Sequence, residues 1–408
     1  MKKTLWTVFV TLLFFSMLPS VLYNIVKASG APTIEWQNTY KGSAEEWDPH
    51  VIQTGDGGYL AAGVAGSVHG YHAPFLLKVD RFGNHQWNRT YGSYGGVLSL
   101  VEASDGNYTL LASVGGVGSA WFFKVNTTGA VIWSKTYNTA GPPTSHTRTS
   151  DGGYALTGYG WWLLKVDSNG NEQWPLKVYG GWVAHSIIQT DDGGYALAGE
   201  PSLGGNQLLK VDSSGNLEWS QTYGVGSVNK VFQTSDGGYV LSGSTDSHGA
   251  GSYDFWLVKT DASGSILWSK TYGGTGSDAC VSLGTTGDGG YILGGHTDLA
   301  DILIVKTNSD GNELWEMPYD GGGEDEAASV LQTSDGGYII GAQTRSFGAV
   351  GYDFWLIKLA CATTSLPVGG FSIRADGYDD TRLLAPYLAL AAMLTTGLVA
   401  IKRKRRTA

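Results

Sequence analysis

An all-β ring of seven four-stranded antiparallel sheets is the fold that this sequence predicts, and three observations predict it. The first is a repeat: Asp-Gly-Gly-Tyr begins at Asp56, Asp151, Asp192, Asp236, Asp288 and Asp335, and Asp-Gly-Asn-Tyr at Asp105. In chain order these seven starts are 49, 46, 41, 44, 52 and 47 residues apart. The second is a fixed pattern after each start, an apolar run ending in Lys78, Lys124, Lys165, Lys210, Lys259, Lys306 or Lys358. After the first six lysines come Asp or Asn two residues on, Gly five residues on, and Trp four residues beyond that Gly. The third is composition. With 61 Gly, 15 Trp and 22 Tyr but only 15% charged residues, the chain has the material for many short strands joined by tight turns, and far more apolar side chain than a disordered chain carries.

Each unit reads as four strands. The first is of the Ser329-Val330-Leu331-Gln332-Thr333 type, and Asp-Gly-Gly-Tyr turns it back, Gly-Gly supplying the positive φ of a tight hairpin turn. Asn107 stands in for the second Gly once; Asn tolerates that region best among the other residues. The second strand is of the type Tyr239–Gly243 and the third of the type Phe255–Lys259. The third is apolar on both faces, as in a strand sandwiched between neighbouring sheets. An Asp-x-x-Gly turn leads into the fourth, which carries Trp268 and Tyr272 in the fifth unit. Repeats of this length made of four short antiparallel strands are β-propeller blades; the coils of an open β-solenoid are shorter. The seventh unit lacks the downstream Gly and Trp, while an orphan fourth strand, Ile34–Tyr40, stands ahead of the first. It is expected to complete the last blade and cover an otherwise open edge. The propeller is placed at 31–360.

The two ends read as addresses. Lys2 and Lys3, an apolar run from Leu5 to Val26, and small residues before Ala28 have the order of a secretory signal peptide over 1–28, with an uncleaved anchor as the alternative. Residues 383–401 are 19 without a charge, followed by Lys402-Arg403-Lys404-Arg405-Arg406. At ~1.5 Å per residue such a stretch crosses a bilayer core, and a basic tail, 402–408, stays on the cytoplasmic side. Residues 361–382 read as a stalk. The expected location is the plasma membrane, with the propeller outside the cell. Between Ala31 and Leu359 there are 16 Lys and Arg against 33 Asp and Glu, a balance of −17, which argues against nucleic acid as a partner. Cys280 and Cys361 are expected at opposite ends of the ring. Five residues of strand separate those ends by ~16 Å, beyond the ~5.5 Å Cα separation of a disulfide.

The stretch Lys210 to Trp219 resembles the blades of quinoprotein-type propellers, in which a Gly precedes a docking Trp. Residues 31–359 resemble prokaryotic surface proteins built from the Asp-Gly-Gly-Tyr repeat. Pro367-Val368-Gly369-Gly370-Phe371-Ser372, with the hydrophobic span and basic tail, resembles an archaeal C-terminal surface anchor. These resemblances imply fold and address rather than activity, because propellers host unrelated functions.

No motif for catalysis stands out. A vicinal Cys pair and a c-type haem motif are missing, the turns are one residue longer on each side of Gly than sialidase Asp-boxes, and Gly-x-Ser-x-Gly, His-Glu-x-x-His and Walker patterns are absent. No cofactor is expected. The seven repeat lysines are expected to pair with turn carboxylates, and the repeat tryptophans to pack between blades. Asn88, Asn107 and Asn126 lie in glycan-acceptor sequons. Seven of the eight His (His50, His69, His72, His146, His185, His248 and His296) fall at one end of the ring, here called the top, where the loops between fourth and first and between second and third strands gather. Glu45, Glu46 and Asp48 share that end, and His beside carboxylate is metal-ligand chemistry, although the spacing is not that of a metal motif. Top loops also vary most in length, from eleven residues at Val64–Pro74 to Tyr159-Gly160 alone. Recognition sits on variable loops held by a rigid scaffold. The expected ligand contacts are therefore His50, His146, His185, Trp161, Glu45, Glu46 and Asp48, with Trp161 alternatively part of the inter-blade core. The expected partner is a cell-surface or environmental protein or glycan. The alternative class is a glycan-cleaving or metal-assisted hydrolase using the same His and carboxylates.

Overall fold

The computed structural model describes residues 31–361, apart from 43–44, 67–71, 93–94, 114–117, 203, 225, 299–300 and 348–350. The expected signal segment, the stalk after Cys361, the hydrophobic span and the basic tail lie outside the described residues, as does His69. Among the described residues no helix is long and apolar enough to cross a membrane. Among them, 28 strands form seven four-stranded antiparallel sheets, the blades of a β-propeller. The first blade runs from an inner strand, Glu46–Gln53, through Tyr59–Gly66 and His72–Val79 to an outer strand, His85–Thr90. The inner strands of the next six are Val97–Glu102, Pro143–Arg148, Val183–Gln189, Ser227–Gln233, Ala279–Thr285 and Asp325–Gln332. As expected for sandwiched strands, the middle two of blade five, Tyr239–Thr245 and Asp254–Thr260, are buried at every residue.

The repeat motif has a local physical basis. In each blade the lysine ending the third strand reaches the turn aspartate of the hairpin beside it: Lys78–Asp56, Lys124–Asp105, Lys165–Asp151, Lys210–Asp192, Lys259–Asp236, Lys306–Asp288 and Lys358–Asp335, at 2.7–2.9 Å. The pairs are asymmetric. The Lys306 side chain is 3% exposed and that of Asp288 55%, so the lysine is the partner that depends on the contact. Asp288 also accepts the Thr286 hydroxyl and the Gly290 amide. Removing the acid strands a buried ammonium, whereas removing the lysine leaves a carboxylate in water, and an uncompensated buried charge is the costlier of the two. Asp288→Ala is therefore expected to destabilise more than Lys306→Met, and the double variant to recover part of the loss. Equal costs in urea unfolding would refute the asymmetry.

The Gly of the Asp-x-x-Gly turn does more than relax the backbone. Gly264 has φ +81°, and a Cβ there would lie 2.8 Å from a ring carbon of Trp219 in the preceding blade. The tyrosine closing the preceding outer strand donates its hydroxyl to the same Gly carbonyl. Tyr40 reaches Gly83, Tyr91 Gly129, Tyr137 Gly170, Tyr179 Gly215, Tyr223 Gly264 and Tyr272 Gly311, at 2.6–2.8 Å. Trp and Tyr thus latch each blade onto the next through one glycine. Tyr319 faces the seventh blade, which has no such turn, and its hydroxyl lies 3.7 Å from the Met317 sulfur.

Two features depart from the plain repeat. The seventh sheet takes its outer strand from the other end of the chain: Ile34–Tyr40 runs antiparallel to Asp353–Leu359, Trp36 opposite Lys358 and Tyr40 opposite Phe354. Blade three, where a full fourth strand was expected, keeps only Lys177–Val178. Pro175 follows Trp174, and one extra residue separates Trp174 from Tyr179 compared with Trp133 and Tyr137; proline brings no N–H to a ladder. Neither cysteine forms a disulfide among the described residues; Cys280 is buried and Cys361 exposed.

Candidate functional site

Backbone hydrogen bonds bring the two sets of top loops together: Gly66 N–H to Glu45 O, Gly160 N–H to Trp182 O, Asp278 N–H to Tyr253 O and Arg345 N–H to Glu324 O, at 2.7–2.9 Å. Below them, every inner strand carries a bulge near its start, between Trp47 and His50, Val97 and Ser99, Pro143 and Ser145, Ala184 and Ser186, Val228 and Lys230, Cys280 and Ser282, and Ala327 and Ser329. A bulge re-aims a side chain out of the ladder. It sets Asp48 in blade one and His185 in blade four apart from the pleated residues around them.

His50, which pairs with Asp48, lines one cavity with a residue that sequence reading missed, Lys230 of blade five. His50 Nε2 is 3.8 Å from Asp48 Oδ2. Asp48 adopts φ +59°, the left-handed region that Asp, like Asn, tolerates better than most residues, and its N–H donates to Gln343 Oε1 at 2.9 Å. Gln343 is held in turn by Glu326 at 2.9 Å. Burial lowers the basicity of His50, Asp48 opposes that, and Lys230 adds to it. Burial pushes His185 down to about 4, again with Lys230 adding. Lys230 is itself lowered by burial, with Asp48 opposing. These groups sense one another although they stand on blades one, four and five. His185 Nε2 lies 3.6 Å from Glu200 Oε1, and burial raises the Glu200 carboxyl.

Three expected contacts sit elsewhere. His146 is 4% exposed, wedged between Phe122 and Tyr154, because the strand pleat turns it into the interface where other blades carry Val, Leu or Ile. Trp161 is wholly buried; with φ +50° it turns under the loop and donates Nε1–H to Glu200 O at 2.8 Å. It belongs to the inter-blade core, the alternative the sequence left open. Glu46 is also fully buried and accepts the Gly42 amide at 2.8 Å. Asp278 and Asp325, ten residues before their turn aspartates as Glu46 is, accept Gly274 and Gly321 amides at 2.7 Å in the same way. Glu46 is thus a loop cap, while Glu45 is exposed.

Among the described residues, the exposed aromatics of this end are Trp182 and Tyr159, at 60% and 39%, with Tyr253 and Phe347. Trp182 stands ten residues before Asp192, where blades one, six and seven bury a capping carboxylate, and that departure was the legible signal for it. An isolated bridge joins Tyr159 to Val183, so Tyr159 and Trp182 lie on adjoining segments beside the His185–Glu200 pair. Among the described residues no three His, Cys, Asp or Glu side chains are grouped so as to hold a metal ion. Of the sequon asparagines, Asn88 is exposed on an outer strand, Asn107 is half-buried at its hairpin turn, and the Asn126 oxygen accepts Thr128 and Ala130 amides.

Comparison with protein-family models and with curated proteins gives no match. Solved structures do match in fold. The Myceliophteria thermophila Cps50 (Swd1) β-propeller domain aligns with TM-score 0.53 at 11% identity, over 79% of this chain and 99% of that one. The WD40 propeller domain of Doa1 aligns with TM-score 0.56 at 10% identity, over 80% and 96%. The RRP9 WD40 repeats align with TM-score 0.58 at 11% identity, over 81% and 99%. The chain shares their β-propeller fold.

Proposed function

We propose that this protein is a binding module of the cell exterior, which holds a protein or glycan on the top face of a propeller fastened by its own N-terminal strand. The observation that carries this reading is the pair of exposed aromatics, Trp182 and Tyr159, beside the half-buried His185–Glu200 pair. Aromatic faces next to a few polar groups suit both protein and sugar recognition. The location rests on the sequence: a signal segment at 1–28, a hydrophobic span at 383–401 and a basic tail, in the manner of the prokaryotic surface proteins whose repeat it resembles. WD40 propellers are among its neighbours in fold, so the top-face loops sit on a scaffold of that kind.

The test is to screen the full chain on a glycan array and against surface-protein extracts, then measure the tightest binder with variants. Trp182→Ala with Tyr159→Ala is expected to weaken it roughly tenfold or more, as loss of an aromatic anchor does, with little change in Tm because both rings face solvent. Phe82→Ala, at an exposed turn of the opposite end, is expected to change nothing. The reverse pattern would move the site to the bottom.

A further inference from the structure

The inner strands carry a second repeat inside the first. Six residues before the turn aspartate stands Ser99, Ser145, Ser186, Ser282 or Ser329 in five blades, but His50 in blade one and Lys230 in blade five. Four of the serines accept a backbone N–H from the next blade: Ser99 from His146, Ser186 from Val231, Ser282 from Val330 and Ser329 from Val51, at 2.9–3.3 Å. The position is thus an inter-blade staple in four blades; blade three keeps the serine without the bond, and blades one and five have replaced the serine. Places where a sequence breaks its own structural rule are where function is to be sought.

Both exceptions line one cavity of about 360 Å³ within the ring of inner strands, a volume in the range of small-molecule sites (~300–1,000 Å³). Its other walls include Ile52, Leu98, Phe232 and Leu331. Lys230 differs from the seven repeat lysines, each of which touches a carboxylate. Its ammonium makes neither a hydrogen bond nor an ion pair within 4.0 Å to any described residue. The acid that it senses, Asp48, is the one beside His50.

We infer that this cavity binds a small organic carboxylate, its charged end held by Lys230 and His50 and its apolar body lying against Ile52, Leu98, Phe232 and Leu331. Lys230 presents three N–H donors with no acceptor, on a side chain half-buried by surface area yet ringed by strands. Burial weakens its protonation and that of His50, and Asp48 opposes this for both. An anion in the cavity would do the same, so binding and protonation reinforce each other. A bare inorganic anion would leave the apolar wall unused, and an uncharged apolar molecule would leave the ammonium unpaired.

Titration calorimetry of the full chain with octanoate, octanol and inorganic phosphate tests this. Octanoate is expected to bind saturably in the millimolar range or tighter, and octanol and phosphate at least roughly tenfold more weakly, since a hydrogen bond to a charged group carries about that factor. Lys230→Ser is the informative variant, because it restores the residue of five other blades. It is expected to keep or raise Tm and to weaken octanoate roughly tenfold or more, while Lys230→Arg retains binding. Should Lys230→Ser fold poorly, Lys230→Gln serves in its place. Octanoate bound equally by the parent and these neutral variants, octanol or phosphate bound as tightly as octanoate, or no saturable binding of octanoate would each overturn the inference. These outcomes are independent of Trp182 and Tyr159, so this site and the top-face site stand or fall separately.

Discussion

Deleting residues 31–40 is expected to lower Tm on the order of 10 °C. The deletion removes the antiparallel ladder along Asp353–Leu359 and exposes the edge of a strand that is buried throughout. It also removes three bonds to blade one: Trp36 Nε1–H to Arg81 O at 3.0 Å, Asn38 to Gly83 O at 3.3 Å and the Tyr40 hydroxyl to the same carbonyl at 2.6 Å. Trp36 additionally packs, tilted by 59°, against Tyr59 with ring centroids 5.7 Å apart. At roughly 1 kcal/mol per hydrogen bond and at most ~1.5–3 kcal/mol for each of the half-buried Trp36 and Tyr40 side chains, the total is roughly 5–10 kcal/mol. Unfolding entropy for a domain of this size is about 0.7 kcal/mol per kelvin, which converts that loss to the stated shift. The neighbouring latch supports the same view: Tyr319 has no blade-seven turn to bind, so the seam depends on the N-terminal strand more than other blade boundaries depend on any one strand. Scanning calorimetry of the truncated chain checks this, and a Tm equal to the parent's would mean that the ring is not fastened there.

Acid is expected to begin destabilising the protein above the range in which carboxylates titrate, and His146 is the reason. Burial pushes its imidazole down to about 3, with the contact to Thr109 acting in the opposite direction. Thr109 donates its hydroxyl to Val101 O at 3.2 Å and lies 3.1 Å from His146 Nε2. Nε2–H is then the donor in that pair, and Nδ1 is buried with no hydrogen-bond partner among the described residues. The ring is held neutral when folded, whereas an unfolded His protonates near 6.5. Because the folded value is the lower one, the contribution to stability is fully present above pH 6.5. It is lost as pH falls from there towards the folded value of about 3. Each pH unit inside that window costs about 1.4 kcal/mol, so roughly 3 kcal/mol is gone by about pH 4.5. The equivalent residues in other blades are Val51, Leu100, Ile187, Val231, Leu283 and Val330. His146→Leu therefore returns the site to the repeat and is expected to flatten the stability profile between about pH 6.5 and pH 4.5. Urea unfolding at a series of pH values decides it: parallel profiles for parent and variant would relieve His146 of this role. Below about pH 4, Asp56, Asp151, Asp192 and Asp288 add to the loss. Partial burial works against their ionisation, but hydrogen bonds from Thr, Lys and Gly outweigh it and hold each at about 2.

The number of blades, the strand order within each and the partners of the repeat lysines were legible in the sequence, because each depends on groups that the repeat itself brings together. Lys306 meets Asp288 across one hairpin and the strand beside it, and the spacing of 18 residues is short enough for the pattern to show. The same holds for the glycine turns, whose backbone angles are a property of the turn alone. What a side chain at the top end faces is a different matter. Trp161 and Trp182 are both tryptophans in top loops, yet one is wholly buried and the other 60% exposed. The difference lies in which segment covers them: Trp161 lies under Gly181 and donates to Glu200, and that contact spans 39 residues. Glu46 read as a candidate ligand contact because it is acidic and at the right end; only the folded loop shows it turned back onto Gly42.

The channel makes the same division sharper. His50 and Lys230 are 180 residues apart in sequence, and periodicity alone places each merely on an inner strand. Their convergence on one cavity follows from ring closure, which carries blade one round to within electrostatic reach of blade five. By itself, then, the sequence determined the repeat, its turns and its ion pairs, which are short-range and recur in every unit. The tertiary structure alone decided which polar groups are buried caps, which aromatics face solvent and which charges share the channel, because burial and electrostatic coupling depend on neighbours that only the assembled ring supplies.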